Sequence, residues 1–152
     1  MNRPSEKIIN LLNKYLLNKD IDSTIAKAAE GECPPATQDI KLNLENRQKC
    51  IDIANYGPAN PMIEDTIYWQ KKADQFKTSL EVAKTMRCSN CAAFIKKEEM
   101  IGCIEKGIAQ LSEEEISKEI VEAANLGYCE LFDFKCAGSR TCDAWITNGP
   151  IQ

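Results

Sequence analysis

The sequence predicts a mainly α-helical protein closed by an irregular, cysteine-rich region at its C-terminal end. Three observations point there. Apolar residues at helical spacing, punctuated by cap residues, recur from Ser5 to Gly127; no strand pattern of any length competes; and six of the eight cysteines stand at or after residue 88. With 152 residues, 43% of them hydrophobic, the chain suffices for one globular domain but not for two full-sized ones.

Ser5 to Asn18 gathers Ile8, Ile9, Leu11, Leu12, Tyr15, Leu16 and Leu17 on one broad helix face, a packing helix in the first place and a partner-docking helix in the second. A short helix is expected at Ser23 to Ala29, then a linker around Gly31, Pro34 and Pro35. Asn43 or Asn46 is the expected cap of a helix running to about Ala54, which Gly57, Pro58 and Pro61 stop. "EDTIYWQKKADQF" and "TSLEVAKTM" read as two short helices, capped by Asp65 or Thr66 and by Thr78 or Ser79. "KKEEMIGCIEKGI" has helical spacing with Gly107 as its stop. "SEEEISKEIVEAANLG" carries a Ser112/Glu115 capping box and ends at Gly127. The acids Glu113 to Glu115 read as helix-start chemistry, not as a metal site. There is no internal repeat.

A net charge of -4 and a pI near 5.0 argue against a nucleic-acid partner, which needs clustered Lys and Arg. Asn10, Asn13, Lys14 and Asn18 break the apolar run that a signal peptide needs, and no stretch has the length and hydropathy to enter a bilayer, so no membrane insertion is expected. The expected compartment is the cytoplasm, or the outside as part of something larger.

Cysteine is the anomaly. Eight are present with no histidine, which excludes a mixed Cys/His zinc site, a Cys/His nucleophile pair and a Ser/His triad within this chain. Without a secretory signal, metal ligation or redox chemistry outranks disulfides. "RCSNCAAF" supplies a CxxC at Cys88 and Cys91, a motif shared by thioredoxin-type disulfides, zinc half-sites and iron-sulfur half-sites. The α/β context of the first is missing. The later thiols are too spread for a second zinc knuckle, with six residues between Cys129 and Cys136 and five between Cys136 and Cys142. One tight pair and two distant thiols suit a cubane cluster best; zinc, structural disulfides and free thiols stay open as alternatives. Five rings stand within three residues of a cysteine: Phe94, Tyr128, Phe132, Phe134 and Trp145. Each alone reads as ordinary core, but together they suit a water-excluding jacket round a cluster.

"CSNCAAF" followed by "GYCELFDFKCAGSRTCDAW" resembles the high-potential iron-sulfur proteins over residues 87 to 146. The resemblance implies an N-terminal helical extension over residues 1–64 and a cluster-binding domain over 65–152 with a small iron-sulfur fold of that family, enlarged by a helical insertion. It implies a [4Fe-4S] cluster held by Cys88, Cys91, Cys129 and Cys142, with Trp145 beside it, and a one-electron carrier that is not an enzyme. The family's upstream tyrosine is expected at Tyr68, with Tyr56 second; Phe94, Tyr128 and Phe132 are the other expected cluster neighbours. The chain departs from the family in the 37 residues between Cys91 and Cys129. Cys103, inside that insertion, is a rival third ligand; the residues round Cys129 match the family and those round Cys103 do not. Cys103 and Cys136 are expected to pair with each other or lie buried, and Cys33 and Cys50 to be buried and inert. The whole sequence also resembles proteins encoded by marine bacteriophages, which implies virion proteins as partners beside an unidentified redox protein. On that basis a structural module stapled by a cluster or metal is the alternative function. An enzyme ranks lowest: four cysteine ligands leave no open iron, and Asp133 and Asp143 read as turn acids.

Overall fold

The computed structural model describes Asn10 and residues 21–110 and 113–152. The apolar helix expected over Ser5 to Asn18 and the cap expected at Ser112 lie outside the described residues. The predicted mainly α architecture with an irregular cysteine-rich end is corrected: the fold is mixed, with seven α-helices among the described residues and a three-stranded antiparallel sheet, two of whose strands lie where the irregular region was expected.

Helix α1 spans Ile21–Ala29 and is followed by the single turn α2, Pro35–Gln38, and by α3, Ile40–Ala54. The cap of α3 is Asp39, whose Oδ1 accepts from the Leu42 amide at 3.1 Å. Asn43 and Asn46 have another task. Asn43 Oδ1 accepts from the Lys135 amide at 2.7 Å and Asn46 Nδ2 donates to the Asp133 carbonyl at 2.7 Å, which pins α3 to the C-terminal hairpin. Asn46, Cys50 and Ala54, four residues apart in turn, are its buried stripe. The helix stops at Asn55, in the left-handed conformation that Asn tolerates.

Helix α4, Thr66–Phe76, begins at the Asp65 cap and buries Trp69, Lys72 and Ala73 on one face. Helix α5, Leu80–Ala83, takes its cap from Ser79. A 3-10 turn at Cys88–Asn90 leads into β1, Phe94–Ile95, then α6, Glu98–Ala109, and α7, Glu114–Ala123. Gly107 does not stop α6, which runs through it. A Cβ there would stand 1.7 Å from the Thr37 carbonyl oxygen, so the glycine lets α6 cross against the α2 turn. Nor does Gly127 end α7: Asn125 takes the positive φ, and Gly127 lies in β2, Leu126–Cys129, under the Phe94 ring. A turn through Asp133, φ 55°, delivers β3, Phe134–Ala137.

The strand order is β1-β2-β3, with Phe94 opposite Cys129, Cys129 opposite Phe134 and Gly127 opposite Cys136. Alternation along each strand then separates two cores. Phe94, Cys129, Phe134 and Cys136 face one in which Cys50, Ala54, Tyr56, Cys88, Cys91, Leu131, Phe132 and Ala144 are packed. Ile95, Leu126 and Tyr128 face the other, built from Ala28, Ala36, Met100, Cys103, Ile104 and Val121. The first core takes side chains from both sides of the 64/65 position. No helix among the described residues is long and apolar enough to cross a membrane.

Candidate functional site

Three backbone segments are laced together on the first core's side of the sheet. Gly57 and Thr141 exchange amide-to-carbonyl hydrogen bonds at 3.0 and 2.8 Å, Asp143 donates to the Ala54 carbonyl, Cys88 to Arg140 and Ala92 to Ile146. This lacing brings thiols from the α3 stripe, the CxxC turn, β2, β3 and the C-terminal segment into one place. Cys50, Cys88, Cys91, Cys129, Cys136 and Cys142 are free thiols packed in the same apolar cluster. All four expected ligands are in it.

The other two cysteines have a different fate. Cys33 and Cys103 form a disulfide across 70 residues, tying the segment before α2 to α6. Of the two expectations for Cys103 and Cys136, burial holds and pairing does not: they lie buried on opposite sides of the sheet, Cys103 in the aliphatic core and Cys136 in the thiol core, and the expected buried, inert Cys33 is corrected by its bridge. A thiol committed to a disulfide is no metal ligand, so Cys103 is not a rival to Cys129.

The polar groups round the free thiols are mostly main-chain amides. Cys91 Sγ accepts from the amides of Ala93 at 3.5 Å and Ile146 at 3.4 Å, and Cys129 Sγ from the Phe132 amide at 3.4 Å. Burial pushes the Cys91 thiol up to about 12, with those amides opposing it. The Cys50 and Cys136 thiols are also driven upward, by burial first. Cys142 is held below the usual thiol range by its hydrogen bond with Cys50 and by the nearby Lys72 ammonium, against the effect of burial. A thiolate at Cys50, Cys91 or Cys136 is therefore costly here unless a positive charge stands beside it.

The rings divide. Phe94 and Phe132 are buried among the thiols and Trp145 packs against them. Trp145 Nε1 donates to the Arg87 carbonyl at 3.0 Å and to Asn90 Oδ1 at 2.9 Å, and Asn90 Oδ1 also accepts from the Arg87 amide, so the third residue of "CSNC" anchors the tryptophan over the turn. Tyr128 points to the other side of the sheet, where its hydroxyl meets Asp133 at 3.4 Å on the wall of a cavity of about 650 Å³. Tyr56 is buried with the thiols, its ring 5.1 Å from Phe134 edge-on and its hydroxyl accepting from the Ala137 amide. Tyr68 stands at the rim, its hydroxyl donating to the carbonyls of Asn55 at 2.7 Å and Thr141 at 3.2 Å.

Lys72 gave no signal in the sequence beyond its place in a helical pattern. It is 2% exposed, donates to the Cys142 carbonyl, lies 3.8 Å from Asp143 Oδ1 and sits 4.9 Å from the Phe76 ring centroid. Burial lowers its affinity for the proton, while Cys142 and Asp143 raise it. A lysine this deep among thiols is the one buried cation of the described site.

No group of three or more Cys, Asp or Glu side chains among the described residues is arranged round a single metal-ion position. Cubane ligands do not converge on one point; each binds a different iron at a separate corner, and the donor set fits such a group in its chemistry: thiols without imidazole, amides directed at sulfur, apolar walls. Set against family models, curated proteins and solved structures, the chain finds no match in any of the three.

Proposed function

We propose that the protein binds a [4Fe-4S] cluster through Cys88, Cys91, Cys129 and Cys142 and serves as a one-electron carrier of high-potential type. The observation that carries this reading is the gathering of these four thiols, from three separate segments, into and against one apolar core with main-chain amides aimed at two of the sulfurs. The local resemblance of "CSNCAAF" and "GYCELFDFKCAGSRTCDAW" to the high-potential iron-sulfur proteins supports the same four ligands. When bound, the cluster supplies the electron transfer.

The chain's own contribution is electrostatic. Phe94, Phe132, Phe134 and Tyr56 exclude water, which disfavours the most negative states of a thiolate-bound cluster and leaves the more oxidised pair of states as the working couple. Amides at sulfur and the Lys72 ammonium make reduction within that pair easier. The couple then falls toward the positive end of the roughly -700 to +450 mV that such clusters span. Anaerobic purification should give a brown protein with about four iron and four sulfide per chain and a reversible couple in that upper range. Zinc, or thiols bridged in pairs, would remove the cluster; a strongly negative couple would remove the high-potential assignment alone.

A second reading is favoured by the fact that the thiols are themselves core residues: a cluster or metal staple in a module of a larger assembly, such as a phage particle. It predicts unfolding on metal removal with no accessible reversible couple. Under either reading the partner, a redox protein or a virion protein, awaits identification by its binding to the loaded protein.

A further inference from the structure

Two thiols of the core are left over from a four-ligand set. Cys50 and Cys136 are each 1% exposed, and neither is bridged. Their positions are not random within the core. Cys136, on β3, is opposite Gly127 while Cys129 is opposite Phe134, so Cys136 and Cys129 are diagonal neighbours on one face of the sheet. Amide bonds from Cys88 to Arg140 and from Ser89 to Gly138 run the CxxC turn along the end of the same strand. Cys136 is accordingly packed in one cluster with both Cys129 and Cys88. At the other edge, the Asp143 amide bound to the Ala54 carbonyl draws Cys142 onto the α3 stripe, where Cys50 lies one turn before Ala54 in the same cluster. Cys91 is held differently, by the amides of Ala93 and Ile146.

Resting on the cluster reading above, we propose that Cys50 and Cys136 are reserve ligands: Cys136 for the corners of Cys129 and Cys88, Cys50 for the corner of Cys142, with Cys91 left without one. If a ligand is lost, the neighbouring thiol releases its proton to the medium and its sulfur forms the iron–sulfur bond that the missing residue would have made. No electron changes hands in the exchange. The iron regains its fourth ligand, and the cluster is neither oxidised nor reduced by it.

The test is a set of alanine variants, loaded anaerobically and read by iron and sulfide content and by the redox midpoint, with circular dichroism as the check on folding. Cys129→Ala and Cys142→Ala should keep at least half of the wild-type iron at a shifted midpoint. Cys129→Ala/Cys136→Ala and Cys142→Ala/Cys50→Ala should each fall at least tenfold below their single variants, and Cys91→Ala should lose the cluster outright. Cys50→Ala and Cys136→Ala alone should keep the full complement. The proposal is overturned if Cys129→Ala and Cys142→Ala lose iron as completely as Cys91→Ala, or if the double variants keep as much as the singles. Unfolding of both single variants under loading counts against it as well, because a refilled corner keeps the core packed. If wild-type protein takes up no iron and sulfide, it is the cluster reading itself that fails, and that outcome is visible before any variant is made.

Discussion

Lys72 shows how a single side chain can set the electrostatics of this core. An ammonium that is 2% exposed pays a large desolvation cost, and the carbonyl of Cys142 and the carboxylate of Asp143 are what hold it there. Its charge stabilises whichever state of a neighbouring centre is more negative, so it favours reduction. Replacing it with an apolar residue of similar shape removes that bias. Lys72→Met should move the midpoint of the loaded protein to more negative potential by about 60 mV or more, the equivalent of ~1.4 kcal/mol in a one-electron couple. Lys72→Arg, which keeps the charge, should recover most of the shift. Spectroelectrochemical titration of the three proteins decides it, and equal midpoints would leave Lys72 a purely structural residue.

At the level of elements, the close approach of α6 to the segment before it is the most demanding contact. Cys103 and Gly107 are four residues apart on α6, and both face residues 33–38: Cys103 through the disulfide to Cys33, Gly107 against the Thr37 carbonyl, with Gln38 Nε2 donating to the Cys103 carbonyl at 2.7 Å. A methyl group at Gly107 has no space and no flexible neighbour to displace. Gly107→Ala should therefore destabilise the protein by about 3 kcal/mol, despite alanine's better helix propensity, and a urea melt would measure it. The helices were largely legible in the sequence, because Asp65 and Ser79 cap as their types suggest and the apolar spacings are regular. The strands were not. They are two and four residues long, too short for a periodic pattern to stand out, and "YC" and "FKC" alternate rings with thiols and a lysine instead of the β-branched residues that mark strands. The nearness of Cys88, Cys91, Cys129 and Cys142 was legible from the local motif, and Tyr56 stood second to Tyr68 as the expected tyrosine; Cys50 was not legible, because tertiary bonds, from Asn43 and Asn46 to the hairpin and from the Asp143 amide to the Ala54 carbonyl, bring α3 to that core.

The molecule as a whole is two cores sharing one thin sheet, and they are stabilised by different means. The aliphatic core has Met100, Ile104 and Val121 for burial and the Cys33–Cys103 bridge, whose 70-residue separation removes chain entropy worth roughly 4 kcal/mol from the unfolded state. The thiol core has few aliphatic side chains, and much of its interior is sulfur that a bound cluster would lock into place. Loss of the cluster should thus be felt unequally. Hydrogen exchange of loaded and cluster-free protein should show the amides of Cys88, Ala92, Glu130 and Asp143, which lace the thiol core, losing protection by 100-fold or more, an opening free energy lower by about 2.7 kcal/mol. Amides of α6 such as Ile101 should change less than tenfold in the same samples. Uniform loss across both cores would mean that the sheet transmits the whole stability of one side to the other and that the protein unfolds as one unit. Protection unchanged at all four lacing amides would mean that the thiol core is complete without a metal.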